Sequence, residues 1–343
     1  MQEIQSRTDV TVEQFHNYIV KEGQPVVLKG LTKDWPSVGR RSRSSEALSE
    51  YVIRMCNDHP VTVLVASGSE GGRFFYTEDL QGLNFKRASA TLPAAIKRLL
   101  ELNELSERPS LSIQAISVRD VCPDFEENNP QFLLADVAPT LWVGNQGIVA
   151  PHFDIHNNLA CVVGGRRRFS LFPPSQINNL YPGPALFTPA GVPVSMVDLA
   201  DPDFTRFPRF RDALQHSQEA VLEPGDAIYI PSLWWHGVRS LDPFNMLVNY
   251  WWGGMSGNRV SPYESLLHSM MSIKNLDVEI RQAWKTFFDY YVFGSDFDLD
   301  GHLPANLQDL VSTMSFDQTT RLQRMLSNRL INAENGMQKN SVI

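Results

Sequence analysis

Residues 149–158 read VAPHFDIHNN, a strand-like run in which His152 and Asp154 are two positions apart. Side chains two apart on a β-strand point to the same face of the sheet. The imidazole and the carboxylate therefore point together into a core or a site. By the same parity, His156 and Asn158 also lie on that face. We expect either a buried polar pair or part of a metal site.

The sequence around this run has the pattern of a barrel or a sandwich. From residue 141 to residue 252, short runs rich in β-branched and aromatic residues recur between Gly and Pro turn signals. Many short strands with such punctuation predict an all-β barrel or sandwich. Capping-box spacing predicts a helix after Thr11, and other upstream patterns predict helices at 45–56 and 92–102 and strands at 25–30, 61–67 and 110–117. Beyond Gly257 the pattern is helical, with Leu307, Leu310, Val311 and Met314 at the offsets of one helix face.

Composition narrows the class of protein. The 343 residues are 43% hydrophobic and 20% charged, which is the profile of a globular chain. No apolar run is long enough for a membrane span, and the polar amino terminus lacks the core of a secretory signal, so we expect a cytoplasmic protein. The net charge of -8 argues against a nucleic-acid partner. Cys56, Cys122 and Cys161 are widely scattered, and we expect three reduced, mostly buried thiols.

A second imidazole completes a possible ligand set. His236 opens a strand after the turn at residues 224–226. Two histidines and one carboxylate on one face of a metal leave positions open, as non-haem Fe(II) oxygenases require. Catalytic zinc uses similar donors, and structural zinc needs a fourth ligand, for which His156 is the nearby candidate. A barrel with polar interior residues and no metal is the remaining alternative.

Arg167 is the other polar residue that the strand pattern directs inward. It shares a strand face with Phe169 and Leu171, which are apolar. A guanidinium in an apolar interior is costly unless it meets an anion, and its planar fork suits a carboxylate. The alternative is that Arg167 lies on an exposed edge. Asn249 shares a face with Trp251 on a later strand.

Four segments together resemble a known family: PHFDIHNN, GGRRRFSLFPPSQINNLYPGP, DPDFTRFPRF and PGDAIYIPSLWWHGV. They are similar to the JmjC-type cupin oxygenases, specifically the branch that contains the asparaginyl hydroxylase factor inhibiting HIF. The similarity is dense from residue 139 to residue 252, and QPVVLKGLTKDWP extends it towards the amino terminus.

The resemblance implies a mainly β fold with flanking helices. Residues 1–256 would form a double-stranded β-helix, or cupin (jelly-roll) barrel, with amino-terminal helices and strands. Residues 257–343 would form a carboxy-terminal helical region that resembles the family's dimerisation region. The resemblance also implies that His152, Asp154 and His236 bind Fe(II) and that 2-oxoglutarate is the cosubstrate.

Further positions take roles from the resemblance. Asn158 and Asn249 match positions that line the cosubstrate pocket, and Arg167 stands where that hydroxylase has a lysine paired with the distal carboxylate of 2-oxoglutarate. Ser112 replaces a tyrosine that contacts the cosubstrate, and Val149 replaces a threonine. These departures leave open another oxoacid as cosubstrate. Gln114 falls near a glutamine that contacts substrate in that family.

We expect an Fe(II)- and 2-oxoglutarate-dependent oxygenase, a hydroxylase of a protein side chain or a small molecule, acting as a homodimer without a nucleic-acid or membrane partner. One alternative is a non-oxidising cupin that binds a metal or a small anion as a sensor or scaffold. Another is a zinc-dependent hydrolase or isomerase on the same barrel. Histone demethylation ranks below hydroxylation because the sequence shows no chromatin-reading module and its charge is negative.

Overall fold

The computed structural model describes residues 1–39, 44–102, 105, 108–254, 261–294, 301–304 and 315–340. The chain divides into two compact units, Met1–Gly254 and Met255–Ile343. The predicted boundary at Gly257 lies outside the described residues, as does the predicted helix face at Leu307, Leu310, Val311 and Met314.

The β-strands described in the first unit pair into two sheets. In chain order they are β1 (Gln2–Glu3), β2 (Ser6–Thr8), β3 (Val26–Lys29), β4 (Pro60–Ala66), β5 (Phe85–Thr91), β6 (Ser110–Ser117), β7 (Pro139–Gly144), β8 (Ile148–Phe153), β9 (Asn157–Gly164), β10 (Arg167–Phe172), β11 (Gln218–Leu222), β12 (Ala227–Ile230), β13 (Trp235–Ser240) and β14 (Asn245–Trp252). The small sheet has the order β1-β11-β10-β13-β8, and the large sheet has the order β2-β3-β12-β9-β14-β7-β6-β4-β5. Strands β1 and β2 pair in parallel with β11 and β3, and the other pairs are antiparallel.

Helices flank the sheets. Those of the first unit are α1 (Val12–Gln14), α2 (Val20–Glu22), α3 (Ser45–Ile53), α4 (Leu92–Leu102), α5 (Val118–Val121), α6 (Pro123–Asn128) and α7 (Phe210–Gln215), with a π-helical turn, Phe15–Ile19, between α1 and α2. The predicted capping box is present, since the Thr11 hydroxyl accepts from the Gln14 backbone N–H at 3.2 Å and the Gln14 side chain accepts from the Thr11 N–H at 3.0 Å. The first helix therefore begins where its sequence predicts.

Strand alternation gives the large sheet two apolar faces. On β9, Ala160 and Val162 pack with Phe169 and Leu171 of the small sheet, so one cluster fills the space between the sheets. The intervening β9 positions face the opposite side, where the strands pack on α3, α4 and α6 through the following buried residues: Leu48, Val52, Ile96, Leu99, Phe125, Leu159, Cys161 and Val163. Two facing sheets with helices outside confirm the predicted cupin, or jelly-roll, fold.

One prediction about the cysteines is wrong. Cys56, just after α3, is joined to Cys122, between α5 and α6, in a disulfide. Sequence spacing does not reveal which cysteines meet in space, and these two are 66 positions apart. Cys161 is the buried free thiol, as expected.

The second unit is helical where it is described, with α8 (Pro262–Ile273), α9 (Val278–Phe288), a π-helical turn (Asp289–Phe293) and α10 (Phe316–Asn340). The side chains of Trp284, Phe287 and Tyr291 are largely exposed. The ring of Phe287 lies between the other two, with its centroid 5.8 Å from that of Trp284 and 6.5 Å from that of Tyr291. The predicted role of this unit in dimerisation stays a prediction. Within the described residues, no helix has the length and apolar character that crossing a bilayer requires.

Candidate metal centre and adjoining cleft

Neighbouring strands of the small sheet bring two histidines together. His152 on β8 and His236 on β13 are register partners, and their ring centroids are 4.4 Å apart. Asp154 follows the end of β8, and one oxygen of its carboxylate lies 3.5 Å from Nε2 of His236. The ligand atoms that the three residues offer all lie within 4.8 Å of one another. These three side chains can therefore hold one metal ion.

Backbone carbonyls orient both imidazoles. Nδ1 of His152 lies 3.0 Å from the carbonyl oxygen of Ala150, and Nδ1 of His236 lies 3.0 Å from that of Trp234. A carbonyl only accepts, so Nδ1 carries the proton and Nε2 keeps its lone pair for a metal. Burial and, to a smaller extent, the neighbouring His236 lower the pKa of His152 to about 4, although Asp154 and the hydrogen bond to the Ala150 carbonyl act in the opposite direction. His152 is thus neutral at pH 7, the form that binds metal.

Asp154 is held by side-chain N–H groups. Its Oδ2 accepts from Nε1 of Trp251 at 3.1 Å and from Nδ2 of Asn158 at 3.3 Å. Asn158 in turn accepts from Nδ2 of Asn249 at 3.1 Å, and Asn249 accepts from Nε1 of Trp142 at 2.7 Å. Asn158 and Asn249, which the resemblance placed in the cosubstrate pocket, are both buried. They form a hydrogen-bond chain that ends on Asp154.

Residues 149–158 are not one strand. Strand β8 ends at Phe153, the chain bends at residues 155 and 156, and β9 begins at Asn157 in the large sheet. The parity that we extended to His156 and Asn158 is therefore wrong beyond Asp154. Within the described part of the chain, His156 is not in the metal-capable cluster. The bend nonetheless returns Asn158 to Asp154.

A small cleft gathers the other predicted residues. Its walls include Ser112, Gln114, Val149 and Arg167, with Trp142 beside them. The Gln114 amide donates to the Ser112 hydroxyl at 3.0 Å. The remaining lining is mainly apolar or backbone: Phe74, Leu111, Val143, Gly144, Asn145, Gly147, Ile148, Val238 and Ser240.

Arg167 is a half-buried cation that forms no ion pair within the described residues. It opens β10 four residues before Leu171, the register partner of His236, so the two backbone positions are about 13 Å apart along the strands. Its Nε is buried and has no hydrogen-bond partner among the described residues. Burial lowers the pKa of Arg167 to about 10, which leaves the guanidinium charged at pH 7. The exposed-edge alternative is therefore disfavoured.

These groups fit a metal ion and a carboxylate anion. Two imidazoles and one carboxylate are the donor set of non-haem Fe(II) oxygenases. An unpartnered guanidinium in an apolar wall requires an anion, and its fork matches a carboxylate. Both requirements follow from side chains in the described structure, independently of any family resemblance.

Two tryptophans were not predicted as site residues. Trp251 had a usable signal, since it is two positions from Asn249 and shares its inward face. Trp142 had none, because its link to Asn249 depends on the pairing of β7 with β14. Cross-strand register is a long-range property that one sequence does not reveal directly.

Comparisons with known proteins give relatives over most of the first unit. Residues 12–257 match the family described as cupin-like domain. Over 247 residues the chain is 27% identical to Jumonji C domain-containing protein 5 of Drosophila melanogaster, which covers 71% of this chain and 58% of the relative. It is 28% identical over 245 residues to lysine-specific demethylase 8 of Xenopus tropicalis, an alignment that covers 71% of this chain and 51% of the relative. It is 40% identical over 114 residues to human HSPB1-associated protein 1, an alignment that covers 33% of this chain and 23% of the relative. The chain thus matches less than two thirds of the length of each of these relatives.

Proposed function

The chain belongs to the cupin-like domain family, and on that basis we propose that it is an Fe(II)- and 2-oxoglutarate-dependent oxygenase, specifically a hydroxylase of a protein side chain or a small molecule. One observation carries the proposal. His236 of the metal-capable cluster lies on β13, which pairs with β10, the strand that carries Arg167 with its unpartnered Nε. A bidentate oxoacid with a second carboxylate satisfies both ends of this arrangement.

Each side chain has a defined task in this proposal. His152, Asp154 and His236 would hold Fe(II) through two imidazole nitrogens and a carboxylate oxygen. Arg167 would bind the carboxylate of 2-oxoglutarate that is remote from the metal, and Ser112 offers a hydroxyl in the same cleft. When bound, iron and 2-oxoglutarate supply with dioxygen the oxidising chemistry, in which the oxoacid becomes succinate and carbon dioxide.

The rest of the cleft orients the cosubstrate and excludes water. Phe74, Trp142, Val149 and Val238 contribute apolar surface around the guanidinium. An apolar, largely dry wall strengthens the attraction between Arg167 and a carboxylate. In the neutral form of each of the two histidines, Nε2 is the nitrogen with a free lone pair, because Nδ1–H faces a backbone carbonyl.

Lysine demethylation is the second candidate. Two relatives carry the name lysine-specific demethylase, one from Xenopus tropicalis and one, 43% identical over 101 residues, from Arabidopsis thaliana. Hydroxylation and oxidative demethylation both begin with oxidation of a carbon–hydrogen bond. The products separate them, because demethylation releases formaldehyde whereas a hydroxylated product retains the added oxygen atom.

A zinc-dependent or non-oxidising cupin remains testable. Structural zinc sites are closed by four protein ligands, whereas the described cluster has three. Three ligands suit catalysis by either metal. Metal analysis of protein purified without oxygen distinguishes them, since the proposed enzyme requires iron and gains no activity from zinc.

The direct test is succinate formation from 2-oxoglutarate with Fe(II) and dioxygen. We expect turnover by the wild-type protein and none by His152→Ala. His216→Ala is the matched control, because His216 is exposed and contacts only the carbonyl of Asp212. Turnover that persists in His152→Ala, or that vanishes equally in His216→Ala, would contradict the assigned ligands.

A further inference from the structure

Trp142 contacts both the cleft and the hydrogen-bonded residues that hold Asp154. Its half-buried ring forms part of the cleft wall with Arg167 and Ser112. Its Nε1 donates to Oδ1 of Asn249 at 2.7 Å, and Asn249 is not one of the residues that line the cleft. The same ring meets Trp251 edge-on, with centroids 5.8 Å apart. One side chain therefore contacts both the wall of the cleft and the hydrogen bonds behind Asp154.

The indole N–H fixes the direction of the whole hydrogen-bond chain. An indole nitrogen only donates, so it must face the carbonyl oxygen of the Asn249 amide. That leaves Nδ2 of Asn249 to donate to Oδ1 of Asn158, and Nδ2 of Asn158 to donate to Asp154. Without the indole donor, the amides of Asn249 and Asn158 could both rotate. Asn158 would then present its amide oxygen to the Asp154 carboxylate, and the two groups would repel each other.

The chain ends on a single oxygen of Asp154. Oδ2 accepts from both Asn158 and Trp251, and the same oxygen lies 3.5 Å from Nε2 of His236. Both donors therefore fix the orientation of the Asp154 carboxylate beside the histidine. Trp251 acts on Asp154 directly, and Trp142 acts on it through two asparagines.

We propose that Trp142 is a positioning residue for the metal carboxylate, acting through Asn249 and Asn158. This inference rests on the proposed function, since it requires a metal at His152, Asp154 and His236. Because each hydrogen bond in this series has a fixed donor and acceptor, loss of the indole N–H should disturb the orientation of the Asp154 carboxylate even when the aromatic ring is kept.

The test uses Co(II) as a visible stand-in for Fe(II) in a double-mutant cycle. Trp142→Phe keeps an aromatic ring and removes the donor. Loss of a direct partner of a metal ligand costs about 10- to 100-fold in metal affinity, and we expect a smaller loss for Trp142→Phe, about 3- to 10-fold. In an Asn158→Ala background, Trp142→Phe should cause no further loss, because the route to Asp154 is already cut. Combined with Trp251→Phe, it should add to the loss instead.

The outcomes separate this inference from the proposed function. If the wild-type protein binds no Co(II), the proposed metal centre fails and the inference fails with it. If the wild type binds Co(II) and Trp142→Phe binds it equally well, only the inference fails. A loss that is undiminished in the Asn158→Ala background also overturns it, because the effect then does not pass through the asparagines.

A measurement on the unsubstituted protein covers the case in which a variant does not fold. Titration with Zn²⁺ should shift the indole ¹H–¹⁵N resonance of Trp142. Trp35 is the internal control, since its indole donates to the Pro130 carbonyl at 2.8 Å in a different part of the core. We expect the Trp142 resonance to move with metal occupancy and that of Trp35 to stay. An unchanged Trp142 resonance at metal saturation would contradict the proposal.

Discussion

Substitution of Arg167 by methionine tests the assignment of the cleft, because it should change stability and cosubstrate affinity in opposite directions. Methionine has a similar length and no charge. In the described structure the Arg167 guanidinium has a buried Nε without a partner and forms no ion pair. Its charge is therefore a cost to the free protein that only a bound anion offsets.

The magnitude follows from the pKa of Arg167. Burial lowers it from 12.5 to about 10. Below pH 10 the guanidinium is charged in both the folded and the unfolded protein, so the full cost applies at pH 7. That difference corresponds to about 3 kcal/mol. Arg167→Met should therefore raise the free energy of unfolding by up to about 3 kcal/mol.

The affinity for 2-oxoglutarate should fall at the same time. Loss of one partner of a buried, hydrogen-bonded charge pair costs about 2 to 5 kcal/mol, or roughly 30-fold to several thousand-fold in the dissociation constant. Urea unfolding measures the first effect, and anaerobic calorimetry of the metal-loaded protein measures the second. Arg168→Met is the control: unlike Arg167, Arg168 has an ion-pair partner, since its Nε lies 3.5 Å from a carboxylate oxygen of Glu219 in a half-exposed pair. A solvent-accessible pair contributes about 0 to 1 kcal/mol.

Two results would refute the reasoning. Wild-type affinity for 2-oxoglutarate in Arg167→Met would show that the guanidinium does not bind the cosubstrate. A loss of several kcal/mol of stability in the same variant would show that Arg167 has a structural partner. Arg168→Met should change neither quantity by a comparable amount.

Three further predictions concern other parts of the first unit. Burial lowers the pKa of His152 to about 4 in the folded, metal-free protein, so the unfolded protein takes up a proton first as pH falls. Between pH 6.5 and 4 the wild type should therefore lose more stability than His152→Gln. Melting temperatures that fall equally with pH in the two proteins would contradict this. A β-carbon at Gly144 would lie 2.7 Å from a backbone carbonyl oxygen of β6, so Gly144→Ala should lower the free energy of unfolding by about 1 to 3 kcal/mol in urea titrations; an unchanged midpoint would refute the close contact. Because Cys56 and Cys122 are joined, thiol titration of the denatured, unreduced protein should find one free thiol, Cys161, whereas three would refute the bond; reduction should cost up to about 4 kcal/mol of stability.

Local rules account for the elements that the sequence predicted well. The capping box at Thr11 and the alternation along β4 and β6 depend on residues a few positions apart. The pairing of His152 with Asp154 on one side of the chain has the same origin, because strand parity acts over two positions. Turn and strand patterns also single out His236 and Arg167, and the resemblance adds their roles as an iron ligand and as the partner of the distal carboxylate.

Long-range geometry accounts for what the sequence missed. The bend after Asp154 moves Asn158 to a different sheet, and nothing within the run HFDIHNN distinguishes a bend from a continued strand. The contact of Trp142 with Asn249 depends on the register of β7 against β14. The Cys56–Cys122 bond depends on the packing of helices behind the large sheet. Each is fixed by tertiary packing rather than by local propensity.

The central claim is that iron and a dicarboxylate share this site. Its most direct test is an anaerobic titration of the metal-free protein with Fe(II) and 2-oxoglutarate, followed by visible absorption. We expect a weak metal-to-ligand charge-transfer band that saturates with both components and is absent in His152→Ala. No band despite bound iron, or an equal band in His152→Ala, would contradict the assignment of His152, Asp154, His236 and Arg167.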